Sequence, residues 1–181
     1  MMLVAMTGLP GTGKSILAAR LSQELGGVVL SKDQVRAALF PPPFLDYSSA
    51  QNEISMDALF SAAAYIRQTF PDRPVLIDGR TFLRSYQVHD LLALASSLNE
   101  SPRIIECVCS DEIARERLEG DLAEGRHTAK NRTYALYLAV KAQAEPISVP
   151  HLTLDTGTTP LEECVQRCLV YLKDNCPRTG P

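Results

Sequence analysis

The sequence predicts an α/β fold in which a five-stranded parallel sheet is covered by helices on both faces, and three observations predict it. Five short apolar runs alternate with helical stretches along the 181 residues, and apolar runs without polar alternation mark strands buried on both faces. The first run ends in a glycine-rich octet, Gly8-Leu9-Pro10-Gly11-Thr12-Gly13-Lys14-Ser15. A helical repeat follows at once, so strand, loop and helix come in the order that brings backbone N–H groups and a helix N-terminus onto one point.

Leu3 to Met6 reads as the first strand. Leu17, Leu21 and Leu25 then share a helix face until Gly26-Gly27 stops it. Val28 to Leu30 is the second strand, and Ser31-Lys32-Asp33-Gln34-Val35-Arg36 opens a brief helix that the triple proline Pro41 to Pro43 ends. Ser48 or Ser49 caps a long helix running to Pro71, with Ile54, Ala58, Ala62 and Ile66 as its inward face. Val75 to Ile77 forms the third strand, closing on Asp78-Gly79. Val88, Leu91, Leu92, Ala95 and Leu98 mark the next helix, and Ile104 to Val108 the fourth strand. Ser110 with Asp111 and Glu112 is a helix start, because acidic groups suit the positive end of the dipole. A polar stretch from Gly120 to Arg132 leads to another helix reaching Glu145. Leu152 to Leu154 is the last strand, and Thr159-Pro160-Leu161-Glu162 reads as a capping box opening a helix that buries Leu161, Val165, Cys168, Leu169 and Leu172. The expected organisation is one domain over residues 1–175, with a lid region at about 115–134 and a frayed tail at 176–181.

Composition narrows the function classes. At 45% hydrophobic residues the chain can bury a full core, and its net charge of −3 supplies no global basic field of the kind a dedicated nucleic-acid binder uses. No apolar run approaches the ~20 residues needed to span a bilayer. Five cysteines, an odd number, show no paired zinc-like spacing, and no signal-like stretch precedes the first strand, so a reducing cytoplasm is expected. Cys107, Cys109, Cys164 and Cys168 read as small core residues.

The octet is the phosphate-binding P-loop pattern. Gly8, Gly11 and Gly13, with Thr12 between them, let the backbone curl so that its N–H groups face phosphate oxygens. Lys14 then reaches the β- and γ-phosphates, Ser15 can ligate the magnesium that bridges them, and Leu17 completes the nucleotide-binding segment. ATP and Mg2+ are therefore the expected cofactors. Ligands of parallel sheets sit at the carboxyl ends of the strands, and Asp33, Asp78 and Asp155 all follow strands. Asp33 and Arg36, three apart, share a helix face. An aspartate beside a γ-phosphate can accept the proton of an attacking hydroxyl, and an arginine can neutralise the transferring group or hold an acidic acceptor. Asp78, closing an apolar strand, suits the magnesium-holding Walker-B role alongside Ser15. Plainer roles stay open: Asp33 as a first-turn helix acid with Arg36 its solvated partner, Asp78 as a turn-forming Asp-Gly, and Arg80 and Arg84 as exposed loop arginines rather than the lining of an acceptor pocket.

On Gly8 to Ser15, Ser31 to Arg36 and Val75 to Asp78, the chain resembles an AAA-like group of small P-loop kinases related to the phage polynucleotide 5′-kinase, zeta toxins and chloramphenicol phosphotransferase. The resemblance implies a P-loop NTPase three-layer α/β/α fold with a helical lid. It places a general base on Asp33, an assisting arginine on Arg36 and the strand-ending aspartate on Asp78. It also implies lid arginines over the phosphates, with Arg117, Arg126, Lys130 and Arg132 as candidates; Arg126 is the expected catalytic one and Arg117 a nucleotide contact. Thr156, in the Asp155-Thr156-Gly157 turn, falls where such kinases place the adenine. The expected activity is phosphoryl transfer from Mg-ATP to a hydroxyl of a small metabolite, a nucleoside or a nucleic-acid 5′-end. The alternative is an NTP-binding switch or accessory ATPase, although the sequence has no Asn/Thr-Lys-x-Asp guanine-reading motif. Oligomeric state is not legible.

Overall fold

A computed structural model describes residues 2–124 and 131–174. The strands are β1 (Leu3–Thr7), β2 (Val28–Ser31), β3 (Val75–Asp78), β4 (Arg103–Val108) and β5 (Leu152–Asp155). The helices are α1 (Lys14–Leu25), α2 (Lys32–Leu39), α3 (Ser49–Thr69), α4 (Ser85–Ser97), α5 (Asp111–Glu124), α6 (Tyr134–Ala142) and α7 (Leu161–Asp174). The strands form one parallel sheet in the order β2-β3-β1-β4-β5, which is the α/β/α architecture of P-loop NTPases. Each expected apolar run is a strand, extended by a polar or charged end residue such as Ser31, Asp78 or Asp155.

Side-chain alternation along β1 sorts the two helical layers. Leu3 and Ala5 join Met56, Leu59 and Ala63 of α3 and Val88, Leu91 and Ala95 of α4. Val4 and Met6 point the other way, onto Leu17 and Leu21 of α1 and Val165, Cys168 and Leu172 of α7. Cys107, Cys164 and Cys168 fill that second layer as free thiols, and burial pushes Cys107 and Cys168 up to about 12, which keeps them unreactive. A smaller cluster of Ala114, Leu118 and Tyr137 sits against Leu9 and Cys109. There the Tyr137 hydroxyl donates to Asp111 at 2.7 Å and Lys141 reaches the same carboxylate at 2.6 Å. These contacts tie α5 to α6 on either side of residues 125–130.

Two helix faces differ from the sequence expectation. On α3 the inward stripe is Ser55, Met56, Leu59, Ala63 and Arg67, whereas Ile54 is 51% exposed and Ala62 also faces outward. Polar residues on the inward stripe hide it from a hydrophobicity pattern. The structure satisfies them internally: Ser55 Oγ donates to the Gln51 carbonyl at 2.6 Å, and Gln51 Nε2 to the Phe44 carbonyl at 2.5 Å. On α7, Leu161 is 38% exposed and Glu162 pairs with Arg20 of α1 through contacts of 3.0 and 3.1 Å. Glu145 lies past the end of α6, where its carboxylate accepts the Ser85 N–H at 2.6 Å and caps α4. Among the described residues no helix is long and apolar enough to cross a membrane.

Far from the carboxyl edge of the sheet, Arg67 and Glu100 form a buried ion pair at 2.9 Å, and Arg67 also donates to the Arg73 carbonyl. Removing one partner leaves the other charge stranded in the interior, a change that costs about 3–5 kcal/mol. Arg67→Met should lower unfolding stability by that amount in urea titrations while leaving nucleotide affinity unchanged at a temperature where the protein stays folded.

Candidate active site

All five strands point their carboxyl ends at one edge, and the loops there enclose an open cleft of about 1750 Å³. At its centre is the turn between β1 and α1. Gly8 has φ 126°, and a Cβ on it would lie 2.2 Å from the Cys107 carbonyl oxygen, so only glycine lets the loop pass that close to β4. The Gly8 N–H and the Thr7 hydroxyl both donate to the Thr81 carbonyl, at 3.0 and 2.5 Å, which fastens the octet to the loop after β3. Gly13 starts α1 in a left-handed conformation with no side-chain cap, leaving the first N–H groups of the helix for a ligand. Thr12 Oγ1 donates to the Leu9 carbonyl at 2.8 Å.

Lys14 is buried, and its Nζ donates to the Leu9 carbonyl at 2.6 Å. Burial pushes its pKa down to about 8, against the opposing pull of Asp78. Ser15 is exposed on the cleft wall. Leu17 belongs to the core beneath α1 and also lines the cleft. Asp78 is 3% exposed, and its Oδ1 has no hydrogen-bond partner. A buried carboxylate oxygen left bare in this way fits a cation or its coordinated water. No group of three or more His, Cys, Asp or Glu able to hold a metal occurs among the described residues. Magnesium beside Asp78 and Ser15 would therefore draw its other oxygens from phosphates and water, as that ion commonly does.

Toward β2, Arg36 is 3% exposed, so it is not a solvated partner. It donates to Asp33 Oδ1 at 3.1 Å and to Asn52 Oδ1, and lies 5.3 Å from the Tyr47 ring centroid. Gly79, at φ 95°, packs against Lys32, where a Cβ would meet the lysine Cβ and N at 3.1 Å. That close approach sets the loop after β3 beside the start of α2. Arg80 is 5% exposed and binds Glu53 of α3 at 3.0 and 3.2 Å, beneath Tyr86; it is a lining residue of the cleft rather than an exposed loop arginine. Arg84 also lines the cleft, where it holds Gln143 at 2.9 Å and Glu145 at 3.5 Å.

Toward β4 and β5, Arg117 donates to Thr156 Oγ1 at 3.1 Å and to the Thr156 carbonyl at 2.8 Å, with the Gly11 carbonyl 3.4 Å away. Thr156 Oγ1 in turn donates to the Thr12 carbonyl at 2.9 Å. Asp155 accepts the Gly157 N–H at 2.8 Å, which holds its carboxyl below the usual range and shapes the turn. Arg132 lines the cleft 3.7 Å from Asp121. Arg126 and Lys130 lie outside the described residues.

The structure thus brings Gly11, Gly13, Lys14, Ser15, Asp33, Arg36, Asp78, Arg117 and Thr156 onto one cleft. Sequence reasoning missed Lys32, Asn52 and Glu53 as lining residues. Lys32 had a signal, being the neighbour of Asp33 in the second motif; Asn52 and Glu53 had none, since polar residues in the first turns of a long helix are ordinary.

These features define a small P-loop kinase-like protein. A family model described as an AAA domain matches residues 3–147, and the chain belongs to that family. It is 27% identical over 172 residues, 95% of this chain and 84% of the relative, to a Thermococcus onnurineus protein provisionally named an adenylate kinase. A solved structure from Chloroflexus aurantiacus, described provisionally as a kinase, superposes with a TM-score of 0.75 at 25% identity, covering 94% of this chain and 98% of that one. The APS kinase CysC of Mycobacterium tuberculosis, solved with AMPPNP and APS, shares the fold at a TM-score of 0.70 and 18% identity, over 95% and 97% of the two chains.

The Lys14 ammonium is charged below about pH 8 and neutral above it, whereas bound phosphates would raise its pKa. ATP affinity should therefore be full below about pH 8 and fall by up to tenfold per pH unit above it. Calorimetric titrations between about pH 7 and pH 9.5 should show that slope in the wild type and a weaker, flat profile in Lys14→Met.

Proposed function

We propose that the protein is an ATP-dependent phosphotransferase that passes the γ-phosphoryl group of Mg-ATP to a hydroxyl of an acceptor bound on the β2 side of the cleft. The observation that carries this reading is the pairing of Asp33 with Arg36 at 3.1 Å, on the same cleft as Lys14 and Asp78. A nucleotide switch has no use for a carboxylate so held, whereas phosphoryl transfer to an alcohol does.

In this account the backbone from Gly8 to Ser15 and the Lys14 ammonium grip the phosphates, for which Lys14 must leave the Leu9 carbonyl. Arg117 and Thr156 flank the nucleoside. Ser15 and Asp78 would hold magnesium, which supplies charge neutralisation on the phosphate oxygens. Arg36 and Lys32 both address Oδ1 of Asp33, leaving Oδ2 to accept the hydroxyl proton. The freed alkoxide electron pair forms the new O–P bond as the bond from γ-phosphorus to the bridging oxygen of ADP breaks. Arg132, and Arg126 from the lid, are the cations proposed to cover the transferring group. A hydroxyl acceptor is favoured over a phosphate one because a phosphate is already ionised at neutral pH and needs no base. A small metabolite or nucleoside suits the acidic chain better than a nucleic-acid 5′-end. The free thiols fit a cytoplasmic setting.

Labelled γ-phosphate from Mg-ATP, offered to a cell extract, should appear in an organic product with the wild type. Asp33→Asn should lose about 10²–10⁴ in turnover, the usual size of a general-base contribution, with ATP affinity nearly unchanged. Label released only as free phosphate, equally by both proteins, would favour the switch or ATPase reading instead.

A further inference from the structure

The β2 side of the cleft carries one positive charge more than it balances. Lys32, Arg36 and Arg80 line it together with two carboxylates, Asp33 and Glu53. Arg36 takes Asp33 at 3.1 Å and Arg80 takes Glu53 at 3.0 Å. Asp90, 4.0 Å from Arg80, stands on α4 outside the cleft lining. Asp78 interacts with Lys14. Among the described residues, Lys32 is left with a single carboxylate approach, 3.9 Å to Asp33 Oδ1, longer than a hydrogen bond and to an oxygen Arg36 already holds.

Everything else at Lys32 disfavours its charge. Its side chain is largely buried, and it opens α2, where the helix dipole repels a cation. Arg36, Arg80 and Lys14 all act on it with like charge, and desolvation lowers its pKa to about 8. At neutral pH the ammonium nonetheless stays mostly protonated. A buried cation kept without its own counter-ion is costly unless a ligand brings the missing charge.

Resting on the phosphotransferase reading, we infer that the acceptor is a small hydroxy compound carrying a fixed anionic group, a carboxylate or a phosphate or sulfate ester, and that Lys32 is the specificity-determining residue that binds this group. The anion sits beside the reacting hydroxyl without being the reacting group, so Asp33 keeps its role as base. Arg80, anchored by Glu53, borders the same space.

Two measurements on the full chain test this. In the first, the small-molecule extract is divided by anion exchange into retained and unretained pools, and each is offered with labelled Mg-ATP. Label should enter the retained pool. Lys32→Met should raise the half-saturating amount of that pool about tenfold or more, the loss expected for a charge-assisted contact, with ATP affinity unchanged, and Lys32→Arg should restore most of it. Label entering only the neutral pool, or a Lys32→Met protein that saturates like the wild type, overturns the inference. In the second, magnesium and a non-hydrolysable ATP analogue fill the P-loop, and the thermal shift caused by acetate or inorganic sulfate is compared with that of glycerol. The anions should stabilise the wild type but not Lys32→Met. If the wild type labels neither pool, the kinase reading has failed, and this second measurement decides the anion site alone: equal anion shifts in wild type and variant overturn it.

Discussion

The parallel pairing of β1 between β3 and β4 is the constraint from which the site follows. Ala5 pairs with Ile77 on one side and Ile104 on the other, so all three strands release their chains at the same edge, with β4 running on past the level of Thr7. The turn after β1 must then pass beside the Cys107 carbonyl, which a side chain at position 8 would meet at 2.2 Å. Because the Thr81 carbonyl takes both the Gly8 N–H and the Thr7 hydroxyl, the loop after β3 is locked to the P-loop, and Asp78 and Arg80 are placed with it. Strand order does the rest. It puts α2 with Asp33 on one flank of the P-loop and Arg117 with Thr156 on the other, the two flanks that the proposed function assigns to acceptor and nucleoside.

Electrostatics give this edge its second property. Lys14 is desolvated and lies near Asp78, Asp33 and Arg132, while Asp78 keeps a bare oxygen. Such groups are poorly satisfied by the protein alone and await charges brought by ligands. The arrangement costs stability and gathers charged groups around the P-loop in advance; in the proposed function Lys14 has only to exchange the Leu9 carbonyl for phosphate oxygens. The Arg67–Glu100 pair, joined at 2.9 Å and tied to the Arg73 carbonyl, lines no part of the cleft, so the Oε2 that Glu100 also leaves bare is the cost of a structural clamp rather than a ligand's place.

How much of this was legible depended on whether a residue's signal was local. The strands were, because each is a short apolar run between turn residues, and so were the P-loop, Ser31 to Arg36 and Asp78, because their chemistry is written in adjacent letters. The inward face of α3 was not: Gln51, Ser55 and Arg67 are polar residues buried through partners that lie in tertiary space or along the helix backbone, while apolar Ile54 faces outward. Arg36 and Arg80 posed the same difficulty, since their burial rests on Asn52 and Glu53 of α3, which no spacing rule connects to them. Lys32 had a signal as the neighbour of Asp33 in the second motif, but its burial did not. Its neighbours in sequence suggested a charged helix start in water, and only the fold of the Gly79 loop against it removes that water.

In the proposed function nucleoside and acceptor lie on opposite sides of the P-loop, with Asp33 facing the transferring phosphoryl group. A crystal structure with magnesium and a non-hydrolysable ATP analogue tests it most directly. The density should show phosphates on Gly8 to Ser15, Lys14 moved from the Leu9 carbonyl to the phosphates, metal beside Ser15 and Asp78, the base near Arg117 and Thr156, and the terminal phosphate directed at Asp33. A base seated between α2 and α3, or a terminal phosphate turned away from Asp33, would contradict it.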